Sequence, residues 1–150
     1  MFWGVLMISN DFFNSFISIY RPYIKLTQPI LDRYDIHTGQ WLVLKDIAQF
    51  QPTTLVNISY RRSIEKPTTR KFIKVLLEKE LITFTTGNDK RQKWLSLTNE
   101  GMQLYNAINN EVNEIQSEII KKSGINEQQL SKIIESMSII YETILKESQE

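Results

Sequence analysis

The residues of this chain best suited to chemistry are cations, and most of them lie in one stretch. Residues 61–93 carry ten basic and four acidic side chains, a net charge of +6, whereas residues 1–60 are neutral and residues 94–150 carry a net −5. A basic segment between a neutral and an acidic one predicts a single surface that faces a polyanion. A solvated charged helix that binds nothing is the alternative interpretation.

The residue types that enzymes use are scarce. Cysteine is absent, which excludes disulfides, thiolate nucleophiles, thiol-based redox sensing and Cys-ligated zinc. His37 is the only histidine and is interpreted as a surface or turn residue. Glu111, Glu114 and Glu118 lie at helical spacing and are interpreted as a solvated face. Because no set of acid, base, nucleophile or phosphate loop converges, we predict no enzyme activity, no metal and no cofactor.

Composition and length indicate one folded domain. The chain has 150 residues, of which 41% are hydrophobic and 23% charged. No apolar window is long enough to span a membrane. The apolar opening Met1–Ile8 lacks the basic region and cleavage site of a signal peptide, so we expect a cytoplasmic protein. Met7 could be the true start, or the residues before it could form a docked apolar arm.

Apolar residues at three- and four-residue steps predict six helices. The first should begin near Ser9 or Asn10 and bend or break at Pro22 and Pro29, each of which lacks an amide donor.

Three shorter helices should follow the first. The second is predicted over about 38–50, and the third over about 55–62 with Thr53 or Thr54 as its cap. The fourth should begin at Pro67, because proline suits the first position of a helix.

The pattern then changes to a period of two. Residues 81–86 and 93–97 are predicted as strands around the polar loop 87–92. A long fifth helix should follow the cap Thr98, and a sixth should open with a capping box at Asn126. The fold class is therefore mainly α with a small β hairpin (α+β). Two short helices, the second basic on its outer face, followed by a basic hairpin indicate a winged helix-turn-helix.

Two groups of residues are predicted to meet duplex DNA. Cations that neutralise phosphates set affinity and register, whereas short polar or bidentate groups at the start of a helix read base edges in the major groove. The predicted phosphate contacts are Arg61, Arg62, Lys74, Lys90 and Lys93. The predicted base contacts are Thr68, Thr69, Arg70 and Lys71.

The hairpin carries the most specific motif in the chain. Residues 89–93 read D-x-R-x-K, and residues 97–101 read L-T-N-E-G. A second motif is P-T-T-R at 67–70, which opens the recognition helix and is followed by Leu76, Leu81 and Ile82 at its end. On these motifs residues 38–101 resemble the MarR family, the winged-helix regulators of the multiple-antibiotic-resistance type.

The resemblance implies roles for two wing residues. Arg91 should enter the minor groove, where concentrated negative potential attracts arginine, and Asp89 should hold the wing in shape through an ion pair. A role as ordinary turn residues is the alternative for both. Ser63 and Glu80 stand where the family often has glycine, so we expect a different local backbone at those two turns.

The apolar stripes of the long helices predict a homodimer. A winged domain of about 60 residues cannot cover the first, fifth and sixth helices, whereas a second copy can, as in MarR-like proteins. We therefore expect a single MarR-like domain over 1–150, with a DNA-binding lobe at 38–98 and a helical dimerisation lobe formed by 9–35 and 99–148. Packing of the stripes within one chain is the alternative.

The expected function is sequence-specific regulation of transcription from a pseudo-palindromic operator, as a repressor. By resemblance, a small aromatic effector would release the DNA. Phe16, Tyr20, Tyr23 and Trp41 are the candidate ligand-binding residues, although aromatic stripes at helical spacing are more often core. The alternative function is a winged-helix protein–protein interaction module without DNA binding.

Overall fold

The computed structural model describes residues 2–149, which form six helices and one antiparallel hairpin, as predicted. The elements are α1 (Phe2–Arg33), α2 (Thr38–Phe50), α3 (Leu55–Arg62), α4 (Lys66–Glu78), β1 (Ile82–Thr86), β2 (Lys93–Leu97), α5 (Asn99–Ser123) and α6 (Glu127–Glu147). Within the described residues, no helix has both the length and the apolar character needed to cross a bilayer.

Two compact units divide the chain between Val112 and Asn113, inside α5. The first unit holds the winged part of the fold, and its core is made by one apolar face of each element. Its most deeply buried side chains include Leu31, Ile36, Val43, Leu44, Ile47, Ile58, Leu76, Leu95 and Ile108. The second unit holds the rest of α5 and all of α6. No described side chain of α6 is buried.

Three helix starts follow the predicted side-chain caps, whereas α2 begins at Thr38 with His37 as its N-cap. The hydroxyls of Thr54 and Thr98 accept hydrogen bonds from backbone N–H groups three residues further on, at 3.2 and 3.0 Å. Asn126 and Gln129 form a reciprocal capping box with bonds of 2.8 and 3.0 Å. Each cap satisfies an amide that the helix itself cannot, so these starts are fixed by local sequence.

The first helix departs from the prediction. It begins at Phe2 rather than near Ser9 or Asn10, and it continues through Pro22 and Pro29. The Ser9 hydroxyl donates to a backbone carbonyl one turn earlier at 2.7 Å, so this residue lies inside the helix instead of capping it. Each proline removes one amide donor, and the 32-residue helix remains formed on both sides. Met1 lies outside the described residues, and residues 3–8 are exposed on this chain.

Three turns among the described residues have a left-handed backbone without glycine, and the first, at Asp35 with φ 52°, follows α1. Ser63 ends α3 with φ 52° and ψ 44°, and Glu80 precedes β1 with φ 59°. Both residues therefore keep a glycine-like conformation at a cost in strain. Gly101 is needed for a different reason, because a Cβ there would overlap the carbonyl oxygen of Leu81. Glycine thus lets α5 start close against the first strand.

Candidate nucleic-acid interface

The faces of α4 separate its apolar and cationic residues. Ile73 and Leu76 are buried against the rest of the first unit. On the opposite side the exposed residues are Thr68, Arg70, Lys71 and Lys74. The helix begins at Lys66, one residue before the predicted start, so Pro67 is its second residue rather than its first. The basic face thus points to solvent, as the sequence spacing indicates.

Thr69 is a correction to the predicted base contacts. Its side chain is fully buried. Its hydroxyl accepts a 2.8 Å hydrogen bond from the Ser59 hydroxyl and donates a 3.2 Å bond to the carbonyl of Glu65. Residue 69 lies one turn before Ile73 and shares its inward face. Thr69 therefore joins α3 to α4 and cannot reach a base edge.

Arg61 is the second correction, because its guanidinium is already occupied. Its Nε and Nη2 lie 3.1 and 2.6 Å from the two carboxylate oxygens of Asp46, and Nη2 donates a 2.7 Å bond to the hydroxyl of Thr53. The guanidinium also stacks on the Phe50 ring at 4.2 Å. Asp46 is almost completely buried, so the cation is held by a desolvated partner rather than left for a phosphate. Arg62, the next residue, is exposed.

The wing, comprising β1, β2 and the loop 87–92, carries the remaining predicted cations. Asp89 Oδ1 accepts a 3.0 Å hydrogen bond from the backbone N–H of Arg91 and lies 3.5 Å from its Nε. This local bond shapes the tip, while the Arg91 side chain is 95% exposed. Lys93 lies over the Phe84 ring at 4.4 Å, and Lys90 is exposed.

The wing also forms an isolated β-bridge with the residue before α3's cap, which the sequence did not predict. Thr53 and Leu95 exchange backbone hydrogen bonds of 3.1 and 2.7 Å. Residue 53 precedes α3 by two positions, so this bridge joins the wing directly to the helix-turn-helix. A single paired residue leaves no alternating pattern, and the turn signals around Pro52 conceal it.

A groove of about 780 Å³ lies between α3, α4 and the wing. Arg70 and Lys74 line it from the helix, and Arg91 and Lys93 line it from the wing. Its apolar residues are Leu55, Val56, Ile73, Leu77 and Leu95. The fold thus brings cations from two separate sequence segments to one concave surface.

Known proteins resemble both the winged segment and the chain as a whole. The MarR family model matches residues 36–93, the segment that contains the helix-turn-helix and most of the wing. An uncharacterised HTH-type transcriptional regulator of Staphylococcus aureus is 51% identical over 143 residues, covering 95% of this chain and 98% of the relative. The chain belongs to the MarR family. It is a winged-helix DNA-binding transcriptional regulator, as the sequence motifs predicted.

Two further proteins show how far the similarity extends. A structure of Staphylococcus aureus MarR in complex with salicylate and kanamycin is 51% identical, has a TM-score of 0.87 and covers 94% of this chain and 95% of that one. The homoprotocatechuate degradative operon repressor of Escherichia coli is 26% identical over 111 residues, covering 72% of this chain and 74% of the repressor.

The aromatic residues predicted to line an effector cleft in this MarR-family chain have unlike environments. Trp41 is buried and stacks on Tyr105, with ring centroids 5.7 Å apart. Phe16 and Tyr20 are exposed on α1, and Tyr23 is half-buried. The interpretation as core therefore fits Trp41 and does not fit Phe16 or Tyr20 in the single chain.

A cluster of Arg33, Tyr34 and Glu111 joins the end of α1 to α5, and no sequence pattern predicts it. Glu111 pairs with the Arg33 guanidinium through one oxygen and accepts a 2.7 Å hydrogen bond from the Tyr34 hydroxyl through the other. The Tyr34 bond, with Arg33, lowers the pKa of Glu111, and the same bond raises the pKa of Tyr34. Glu111 is therefore not a solvated residue as predicted, whereas Glu114 and Glu118 are exposed.

Proposed function

We propose that this MarR-family regulator represses transcription by binding a pseudo-palindromic operator as a homodimer, and that a small aromatic ligand releases the DNA. The main support for a DNA-binding surface is the groove, which Arg70 and Lys74 line from α4 and Arg91 and Lys93 line from the wing. A recognition helix in the major groove and an arginine beside it in the minor groove would use both walls.

Each exposed residue then has an assigned role. Thr68, Arg70 and Lys71 lie at the start of α4, where base edges are read, and Arg91 reaches the minor groove. Asp89 maintains the shape of the wing tip through its bond to the Arg91 amide. The residues proposed to neutralise phosphates are Arg62, Lys74, Lys90 and Lys93.

The proposed homodimer rests on apolar side chains that this chain leaves uncovered. In α1, Phe13, Phe16, Ile17 and Tyr20 are all exposed. In the second unit the exposed apolar residues include Ile119, Ile133, Ile134, Met137 and Tyr141. Patches of this extent mark interaction surfaces, and a second copy would cover both in a two-fold interface. The segments 9–35 and 99–148 are the proposed dimerisation lobe, and 38–98 the DNA-binding lobe.

Repression and release by a ligand are supported by two relatives. The relative from Escherichia coli is named as an operon repressor, and the Staphylococcus aureus MarR structure contains salicylate. A protein that acts on chromosomal DNA in a bacterium works in the cytoplasm, which is the location we propose.

The decisive experiment is fluorescence anisotropy with a labelled duplex from upstream of the protein's own coding sequence and with a random duplex, at two salt concentrations. Tight, sequence-dependent binding that weakens steeply with salt is expected. A complex of two chains per duplex, and a dimer mass by light scattering without DNA, are expected as well. Equal weak binding to both duplexes would indicate either that the operator lies elsewhere or that the protein–protein alternative holds, and no binding at low salt would exclude the DNA-binding role.

A further inference from the structure

The guanidinium of Arg61 connects parts of the fold that are distant in sequence. It binds Asp46 of α2 through two nitrogens, and its Nη2 also donates to the hydroxyl of Thr53. Thr53 in turn exchanges two backbone hydrogen bonds with Leu95 of β2. An unbroken series of hydrogen bonds therefore runs from a buried carboxylate of α2, through α3, to the wing.

The same helix, α3, also holds the recognition helix. Ser59, two residues before Arg61, donates the buried 2.8 Å hydrogen bond to Thr69 of α4. The positions of α4 and of the wing are thus both set relative to α3, one by Ser59 and the other by Arg61. Ser59 and Arg61 thus connect both walls of the groove to one short helix.

We propose that Arg61 is a positioning residue for DNA binding. It makes no contact with DNA, and it fixes the wing relative to α4 so that Arg91 and Arg70 reach the duplex together. This role rests on the proposed operator binding. A purely structural role, in which Arg61 only neutralises Asp46, is the competing explanation, and a direct phosphate contact is a second one.

Thr53→Val separates these explanations because valine has nearly the same shape and leaves the Arg61–Asp46 pair in place. It removes only the hydroxyl that links Arg61 to the wing strand. Thr85→Val is the matched control, since Thr85 is an exposed residue on β1 of the same wing. Each substitution is combined with Arg91→Ala, and the affinities for a duplex selected from a random pool are compared.

In the otherwise native protein, Arg91→Ala should weaken binding about tenfold. In the Thr53→Val background the same change should weaken DNA binding no more than about threefold, because a displaced wing no longer places Arg91 against the duplex. The Thr85→Val background should preserve the full tenfold effect. An equal loss in all three backgrounds would overturn the positioning role while leaving the operator-binding function intact.

Arg61→Lys provides a second, independent measurement. Lysine keeps the charge beside Asp46 but lacks the planar fork that reaches Asp46 and Thr53 at once. Hydrogen exchange of the Leu95 amide, measured without DNA, should accelerate in Arg61→Lys and Thr53→Val and stay unchanged in Thr85→Val. Unchanged exchange in both variants would overturn the positioning role, and a reduced salt dependence of binding in Arg61→Gln, which removes the charge, would identify a phosphate contact. Failure to select any binding duplex would overturn the proposed function, and the positioning role with it.

Discussion

Tyr34 donates a 2.7 Å hydrogen bond from its phenolic oxygen to Oε2 of Glu111, and Arg33 pairs with the other oxygen of the same carboxylate. Arg33 is the last residue of α1 and Tyr34 follows it, while Glu111 lies on α5 beside the boundary of the first unit. This contact therefore links the end of α1 to α5 at the C-terminal edge of the first unit.

The cluster makes stability depend on pH. The pKa of Glu111 is lower in the folded chain than its ordinary value of 4.5, mainly because Tyr34 donates to the ionised form. The stabilisation is therefore present above pH 4.5 and is lost as the pH falls through the lowered pKa. Glu111→Gln should reduce the free energy of unfolding at neutral pH, and its difference from the native protein should shrink in acid.

Urea unfolding of both proteins at a series of pH values between neutral and strongly acidic measures this difference. Glu114→Gln, which removes an exposed carboxylate from the same helix, is the control and should give a much flatter pH profile. A deficit for Glu111→Gln that stays constant across the series would show that the cluster does not titrate. At the alkaline end, the raised pKa of Tyr34 keeps its proton in place above pH 10, and the bond is lost only beyond that.

Arg70 and Arg91 should affect DNA binding in different ways. Arg70→Ala should cost about 1–3 kcal/mol on the cognate duplex and little on scrambled DNA, because a base contact is lost. Arg91→Ala should weaken binding to every duplex, since groove potential rather than base identity attracts this residue. Anisotropy titrations with cognate and scrambled duplex distinguish the two, and a parallel loss on both for Arg70→Ala would remove it from base reading.

Thr68 and Thr69 form a natural pair for separating binding from stability. Thr69→Val should lower the free energy of unfolding by about 1–2 kcal/mol, because the buried Ser59 hydroxyl loses its acceptor. Thr68→Val, at an exposed position, should change it by less than about 0.5 kcal/mol and alter DNA affinity instead. Equal destabilisation by both, measured in urea, would contradict the burial of Thr69.

The left-handed turns at Ser63 and Glu80 should tolerate glycine better than their own residues. Ser63→Gly and Glu80→Gly should each raise the free energy of unfolding by about 0.5–1 kcal/mol, since glycine adopts positive φ without strain. Glu114→Gly, at an exposed position in the middle of α5, should lower it by about 1 kcal/mol and serves as the control. Destabilisation at Ser63 and Glu80 as well would mean that their side chains make compensating contacts.

The sequence predicts those parts of the fold that depend on neighbouring residues. The starts of α3, α5 and α6 follow from Thr54, Thr98 and Asn126, because a cap acts within one turn. The wing strands follow from alternation and the loop between them. The exposed cations of α4 follow from helical spacing, although Lys66 rather than Pro67 opens the helix.

Interactions between distant residues account for the errors. Arg61 at the end of a basic helix has the same local pattern as a phosphate contact, and only Asp46, 15 residues earlier, shows otherwise. Asp46 itself lies among apolar positions of α2, which is the one signal that it needed a buried partner. Thr68 and Thr69 are identical in type, and it is the position of Thr69 one turn before Ile73 that places it on the buried face. Ser9 resembles a cap, yet its hydroxyl bonds back along the helix.

The buried pair of Asp46 and Arg61 also constrains how this protein can diverge. Loss of either partner alone leaves an uncompensated charge at a cost of about 3–5 kcal/mol, whereas apolar replacement of both is often tolerated. A lineage can therefore abandon the pair only through a costly single-substitution intermediate or by two changes fixed together. Related sequences with an apolar residue at position 46 should have lost the arginine at position 61 as well.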